Sequence, residues 1–66
     1  MKISLNGQTS VQPDGLTVCE LLKALQLRET AVLVERNRKP VARQHFETLH
    51  LREGDTLEIV QMAAGG

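Results

Sequence analysis

The residues best suited to chemistry stand at the C-terminal end, in Ala63-Ala64-Gly65-Gly66. Glycine makes up about 7% of an average chain, so a Gly-Gly pair at a given place arises by chance about once in 200. No side chain in these four residues is larger than a methyl group. Glycine lacks Cβ, so its backbone can approach a reacting group closely. A chain this thin can thread a narrow channel. The terminal carboxylate of Gly66 is then the one functional group presented. A carboxylate is a poor electrophile until its oxygen becomes a good leaving group. Adenylation by ATP achieves that and gives an acyl-adenylate open to a sulfur nucleophile. The tail therefore reads as a substrate rather than a catalyst. The plain alternative is a frayed end, as termini commonly are. A strand-forming run immediately before the tail, which gives it a rigid anchor, favours the first reading.

The other candidates for chemistry are weaker. His45 and His50 are five apart, not at the i, i+4 spacing that places two ligands on one helix face, and the sequence has no further histidine for a metal site. Cys19 is the sole cysteine, which excludes an intramolecular disulfide. A free cysteine is most often a small buried hydrophobe. A helix N-terminus would lower the pKa of its thiol, and neighbouring Glu20 would oppose that. Glu35, Glu47, Glu53, Asp55 and Glu58 form no close pair in sequence and read as solvated surface groups. Gly7 and Gly15 read as turn glycines, and no glycine-rich phosphate loop is present. Arg36, Arg38, Lys39 and Arg43 form a basic cluster, the one support for a small RNA-binding module, and it reads equally as a solvated hairpin face or a site for an acidic partner.

Length and composition agree with a passive role. A chain of 66 residues is one small domain, and a domain of that size buries only roughly 60% of its unfolded surface. Little room remains for a walled substrate pocket. Eight basic residues balance eight acidic ones, and Phe46 is the single aromatic. A nucleic-acid binder would show a basic excess and aromatic stacking platforms. No apolar run approaches the ~20 residues of a membrane span. Lys2-Ile3-Ser4-Leu5 has neither the basic nor the apolar region of a signal peptide. The expectation is a cytoplasmic chain that uses neither nucleic acid nor membrane.

The elements that must position the tail follow from local patterns. Lys2 to Leu5 alternates polar and apolar, as a half-buried strand does. Asn6-Gly7 is a strong hairpin signal, because a type I′ turn needs positive φ at both central positions. Gln8 to Val11 returns as a second strand, with Thr9 and Val11 expected to point inward. Pro13-Asp14-Gly15 breaks it. Thr17-Val18-Cys19-Glu20 is a capping box, with Leu16 and Leu21 placed as a hydrophobic staple. Val18, Leu21, Leu22 and Leu25 make one helical stripe, and the helix is expected to end near Gln26 or Leu27.

Ala31 to Glu35 is apolar and β-branched, the composition of an interior strand. Asn37-Arg38 reads as a turn, and Lys39 to Ala42 as a short return strand that Pro40 confines to an edge. Arg43 to Leu49 carries one weak helical turn. Glu53-Gly54-Asp55 is a turn, and Thr56 to Gln61 is the last strand, with Leu57 and Ile59 on one face. One helix can cover one face of one sheet. The expected architecture is α+β: a β-grasp (ubiquitin-like) roll over residues 1–62, with one helix across a mixed four- to five-stranded sheet. The helix is expected to act as a crossover that returns the next strand parallel to its partner. Residues 63–66 form a flexible tail. If Leu57 and Ile59 face the helix, Val60 and Met62 face away, with Leu33 beside them. The three would make an apolar patch next to the tail, suited to docking a partner.

In its order of motifs the sequence resembles the ThiS family, the sulfur carriers of thiamine biosynthesis. The resemblance covers essentially the whole chain. It rests on the opening strand with Asn6-Gly7, on Gly15-Leu16-Thr17-Val18 leading into Glu20-Leu21-Leu22, and on Val32 to Asn37. Val41, Arg43, Glu53-Gly54-Asp55, Ile59-Val60 and Gly65-Gly66 complete it. Arg38 stands where a glycine is usual, and Pro40 and Ala42 also depart from the pattern. These differences bear on the hairpin and not on the tail. The resemblance implies a carrier with no bound cofactor. An E1-like, ThiF-type enzyme would use ATP to adenylate Gly66. Sulfur from a cysteine desulfurase would convert it to a thiocarboxylate, and a ThiG-type thiazole synthase would receive that sulfur. The same fold also serves sulfur carriers for molybdopterin synthesis and tRNA thiolation, whose members for molybdopterin usually run longer with more aromatics. A β-grasp interaction module with an inert tail is the reading from another class.

Overall fold

The computed structural model describes residues 1–62. The expectations for Ala63, Ala64, Gly65 and Gly66 concern residues outside that range. The chain runs β1 (Lys2–Leu5), β2 (Gln8–Val11), α1 (Val18–Ala24), β3 (Val32–Arg36), β4 (Lys39–Pro40) and β5 (Thr56–Gln61), with short 3-10 turns at Glu29–Ala31 and Arg43–His45. The five strands form one mixed sheet in the order β2-β1-β5-β3-β4. β1 pairs antiparallel with β2 and parallel with β5, and β5 pairs antiparallel with β3.

Two hairpins flank the central strand, and their turns explain themselves. Asn6 and Gly7 have φ of 49° and 83°, and Asn37 and Arg38 have φ of 52° and 69°. Both are two-residue connections with positive φ at both positions, the conformation whose twist matches the flanking strands. Arg38 adopts it without glycine's freedom, so the departure from the family pattern leaves the hairpin intact. β4 is short and sits at the sheet edge, as Pro40 requires.

The helix begins as its capping box dictates. The Thr17 hydroxyl accepts from the Glu20 N–H at 3.1 Å, and the Glu20 carboxylate accepts from the Thr17 N–H at 2.9 Å. Val18, Leu21 and Leu22 are fully buried against the sheet with Ile3, Leu57 and Phe46. Burial of each is worth roughly 1.5–3 kcal/mol. The helix ends earlier than the apolar stripe suggests. Gln26 turns to φ 60°, the Gln26 N–H donates to the Lys23 carbonyl at 3.0 Å, and the Leu27 N–H donates to the Leu22 carbonyl at 2.9 Å. This is a Schellman ending. It leaves Leu25 at the cap, 37% exposed rather than in the core.

Two further expectations are corrected. Thr9 and Val11 point outward, and Val11 is 74% exposed. The tight turn sets Ile3 opposite Ser10, so half-buried Ser10 shares the core face with Ile3 and its neighbours take the other face. The strand after the helix does not pair beside β1 or β2. The path from β2 through α1 to β3 steps over both β1 and β5, and the parallel partner of β1 is the last strand.

Candidate functional site

β5 positions the end of the described chain. β1 holds its start at Thr56 and Leu57, and β3 holds it from Arg36↔Leu57 to Val32↔Gln61. Met62 continues that ladder, its N–H donating to the Ala31 carbonyl at 2.8 Å. Whatever follows Met62 therefore leaves from a strand fixed at its last residue.

The side chains of β5 alternate as its sequence predicts. Leu57 and Ile59 lie in the core under the helix. Val60 and Met62 are 56% and 42% exposed, and Leu33 is 59% exposed. Leu33 is the direct cross-strand partner of Val60, so the two stand side by side on the face the helix leaves bare. Ala31 and Met62 make the next row toward the tail. Glu35 and Glu58 make the row on the other side. The three apolar residues foreseen for a patch are thus brought together.

Of the turn residues at the base of β5, expected to be solvated, one is not. Asp55 is buried, 7% exposed. Its carboxylate accepts from the Arg52 N–H at 2.9 Å and from Asn37 Nδ2 at 3.2 Å, with Arg36 Nη1 3.9 Å away. Asn37 also accepts from the Thr56 N–H at 2.9 Å. The network pins the β3–β4 turn to the start of β5. The Asn-x turn and the Gly-Asp turn are visible in sequence, but nothing local places them together across eighteen residues.

The remaining candidates fall into structural roles. Cys19 is buried in the helix. A hydrogen bond with Glu29 and then burial push its thiol above the ordinary value, the opposite of activation. His50 Nδ1 lies 2.7 Å from the Gly15 carbonyl, which can only accept, so that nitrogen carries the proton. His45 is exposed on the 3-10 turn. Among the described residues no three His, Cys, Asp or Glu side chains group as metal ligands. No helix of the described residues is long and apolar enough to cross a membrane.

One helix across a mixed sheet in the order β2-β1-β5-β3-β4, with the last strand at the centre, defines a β-grasp roll. The chain belongs to the ThiS family, whose profile it matches over residues 2–66. It is 32% identical to the sulfur carrier protein ThiS of Bacillus subtilis, over 97% of this chain and 98% of that one. The crystal structure of a thiamine biosynthesis protein (ThiS) from Geobacter metallireducens superimposes with a TM-score of 0.85 at 32% identity, covering 100% of both chains. A thiazole synthase of Magnetococcus marinus is 38% identical over all of this chain, which spans only 20% of that relative's length.

Proposed function

We propose that this chain is a sulfur carrier for thiazole formation in thiamine biosynthesis, and that its reactive group is the carboxylate of Gly66. It acts as a co-substrate and not as a catalyst. A partner adenylating enzyme of the ThiF type supplies ATP chemistry: the carboxylate attacks ATP, pyrophosphate leaves, and an acyl-adenylate forms. A persulfide originating from a cysteine desulfurase then displaces AMP to give an acyl disulfide, and a second thiol cleaves its S–S bond, releasing the thiocarboxylate and leaving a disulfide. A thiocarboxylate is a strong nucleophile tethered to a protein, so it reaches the thiazole synthase at high effective concentration and not as free sulfide. Ala63, Ala64 and Gly65 are the thin segment that enters each partner's active site. Leu33, Val60 and Met62 are the surface on which those partners dock, placing the tail at its destination.

The observation that carries this reading is the family match running through Gly65 and Gly66. The hydrogen bond from Met62 to Ala31 supports it, because the last described residue is held to the sheet. The name thiazole synthase among the relatives favours the thiazole branch over other sulfur-accepting pathways. The test is intact mass after incubation with ATP, the adenylating partner and a sulfur source. Exchange of one oxygen for sulfur at Gly66 is expected. An unchanged mass under conditions where the partner is active overturns the reading, as does thiazole formation by a chain lacking Gly66.

A further inference from the structure

The basic cluster of the β3–β4 hairpin has a shape that the carrier role does not use. Arg36, Arg38, Lys39 and Arg43 are half of the eight basic residues, and no acidic residue lies between Arg36 and Phe46. The chain is neutral overall, so its charge is segregated rather than absent. The hairpin and the segment after the second 3-10 turn enclose a groove of about 390 Å³. Arg36, Lys39 and His45 supply polar lining, while Pro40, Val41 and Leu49 supply apolar lining. Val41 and Leu49 pack from behind against the core.

The cations of this groove are only partly neutralised from within. Arg36 and Lys39 are direct cross-strand partners, and like charges directly opposite one another destabilise a hairpin. Arg36 Nη1 is 3.9 Å from Asp55, whose carboxylate already accepts from Arg52 and Asn37. Among the described residues Lys39 has no acidic partner. The turn between them holds Arg38 at φ 69°, a left-handed conformation costing roughly 1 kcal/mol outside glycine. A third cation thus occupies the position where glycine would be cheapest.

We infer that this groove docks an acidic segment of a protein partner, with carboxylates on its cations and an apolar side chain on its apolar lining. The charges are spread along an open hairpin with no convergent buried donors, which suits several carboxylates in a row better than one enclosed phosphate. Phe46 is buried, so the groove offers no aromatic for a base to stack on. That favours peptide over RNA. The groove's lining includes none of Leu33, Val60 and Met62, and peptide binding is read without ATP or the adenylating enzyme, so this inference and the sulfur-carrier reading can fail independently.

The experiment is an amide NMR titration of the full chain with a blocked peptide Glu-Glu-Leu-Glu-Glu. Saturable shifts are expected at Lys39, Val41, His45 and Leu49, with affinity falling about tenfold between about 50 and about 200 mM salt. Lys39→Glu should abolish them, and Lys39→Gln should weaken them while keeping the spectrum's dispersion. The peptide Lys-Lys-Leu-Lys-Lys should leave these amides unmoved. The inference is overturned by absent or non-saturating shifts, or by shifts centred on Leu33 and Val60. It is also overturned by unchanged binding in both Lys39 variants, or by tighter binding of oligouridylate or inorganic phosphate to the same amides.

Discussion

Asn6 grips Ile59 at two points: its Oδ1 accepts the Ile59 N–H at 2.7 Å and its Nδ2 donates to the Ile59 carbonyl at 3.1 Å. The side-chain amide does for Ile59 what a strand partner would do. β1 pairs with β5 only at Ser4↔Thr56 and Leu5↔Leu57, and the turn then carries the backbone away. Asn6 therefore serves twice, supplying the left-handed turn residue and extending the ladder toward the tail.

Replacing Asn6 separates these roles. Asn6→Gly keeps the turn and removes the grip, and is expected to cost on the order of 1–2 kcal/mol. Asn6→Ala adds turn strain, and its loss in a urea melt should exceed that of Asn6→Gly. Equal stability of the wild type and Asn6→Gly would show that water replaces the amide at no cost.

Acid should weaken the start of the helix. Hydrogen bonds from Thr17 hold the Glu20 carboxyl below its ordinary value. A carboxyl lowered by folding adds stability that is fully present above its unfolded pKa and is lost as pH falls through its folded pKa. Thermal melts from neutral to acid pH should show this loss in the wild type and less of it in Glu20→Gln. Thr17→Ala removes the cap itself and should cost about 1 kcal/mol.

The thiol of Cys19 should behave as an interior group. With its pKa raised and its surface covered, labelling by a disulfide reagent should proceed only as fast as the protein opens. Adding urea below the transition should speed labelling in step with the fall in stability. Rapid labelling of the native protein would place the thiol at the surface.

A charge on the bare sheet face should abolish docking without unfolding. Val60 is more than half exposed opposite Leu33, so Val60→Glu should change stability by no more than about 0.5 kcal/mol. Binding to the adenylating enzyme should fall at least about tenfold, since a desolvated carboxylate at a docking surface lacks a partner. Wild-type affinity in this variant would remove Leu33, Val60 and Met62 from the interface.

What could be read in advance divides by the reach of the interactions. The Thr17–Glu20 cap, the Asn6-Gly7 turn and the alternation of Leu57, Glu58, Ile59 and Val60 involve neighbours, and each is found as expected. So is the patch, because strand period alone assigns its residues to one face. The facing of β2 is not legible locally: apolar Val11 points to the core by type, while the turn register assigns the core face to Ser10. The exposure of Leu25 is hidden in the sequence because the Schellman ending is carried by Gln26, a residue with no strong tendency toward that conformation. The parallel pairing of β1 with β5 and the burial of Asp55 join segments far apart in sequence, and no local pattern encodes them. Gly65 and Gly66 stand out by composition, and the family match runs through them.

Placing the last strand in the middle of the sheet has a mechanical result. A pull applied at Met62 is transmitted to β5, which is clamped between β1 and β3. Extraction must shear two ladders at once rather than peel an edge. The domain can therefore bear tension through its C-terminal strand while a partner draws on whatever extends beyond it.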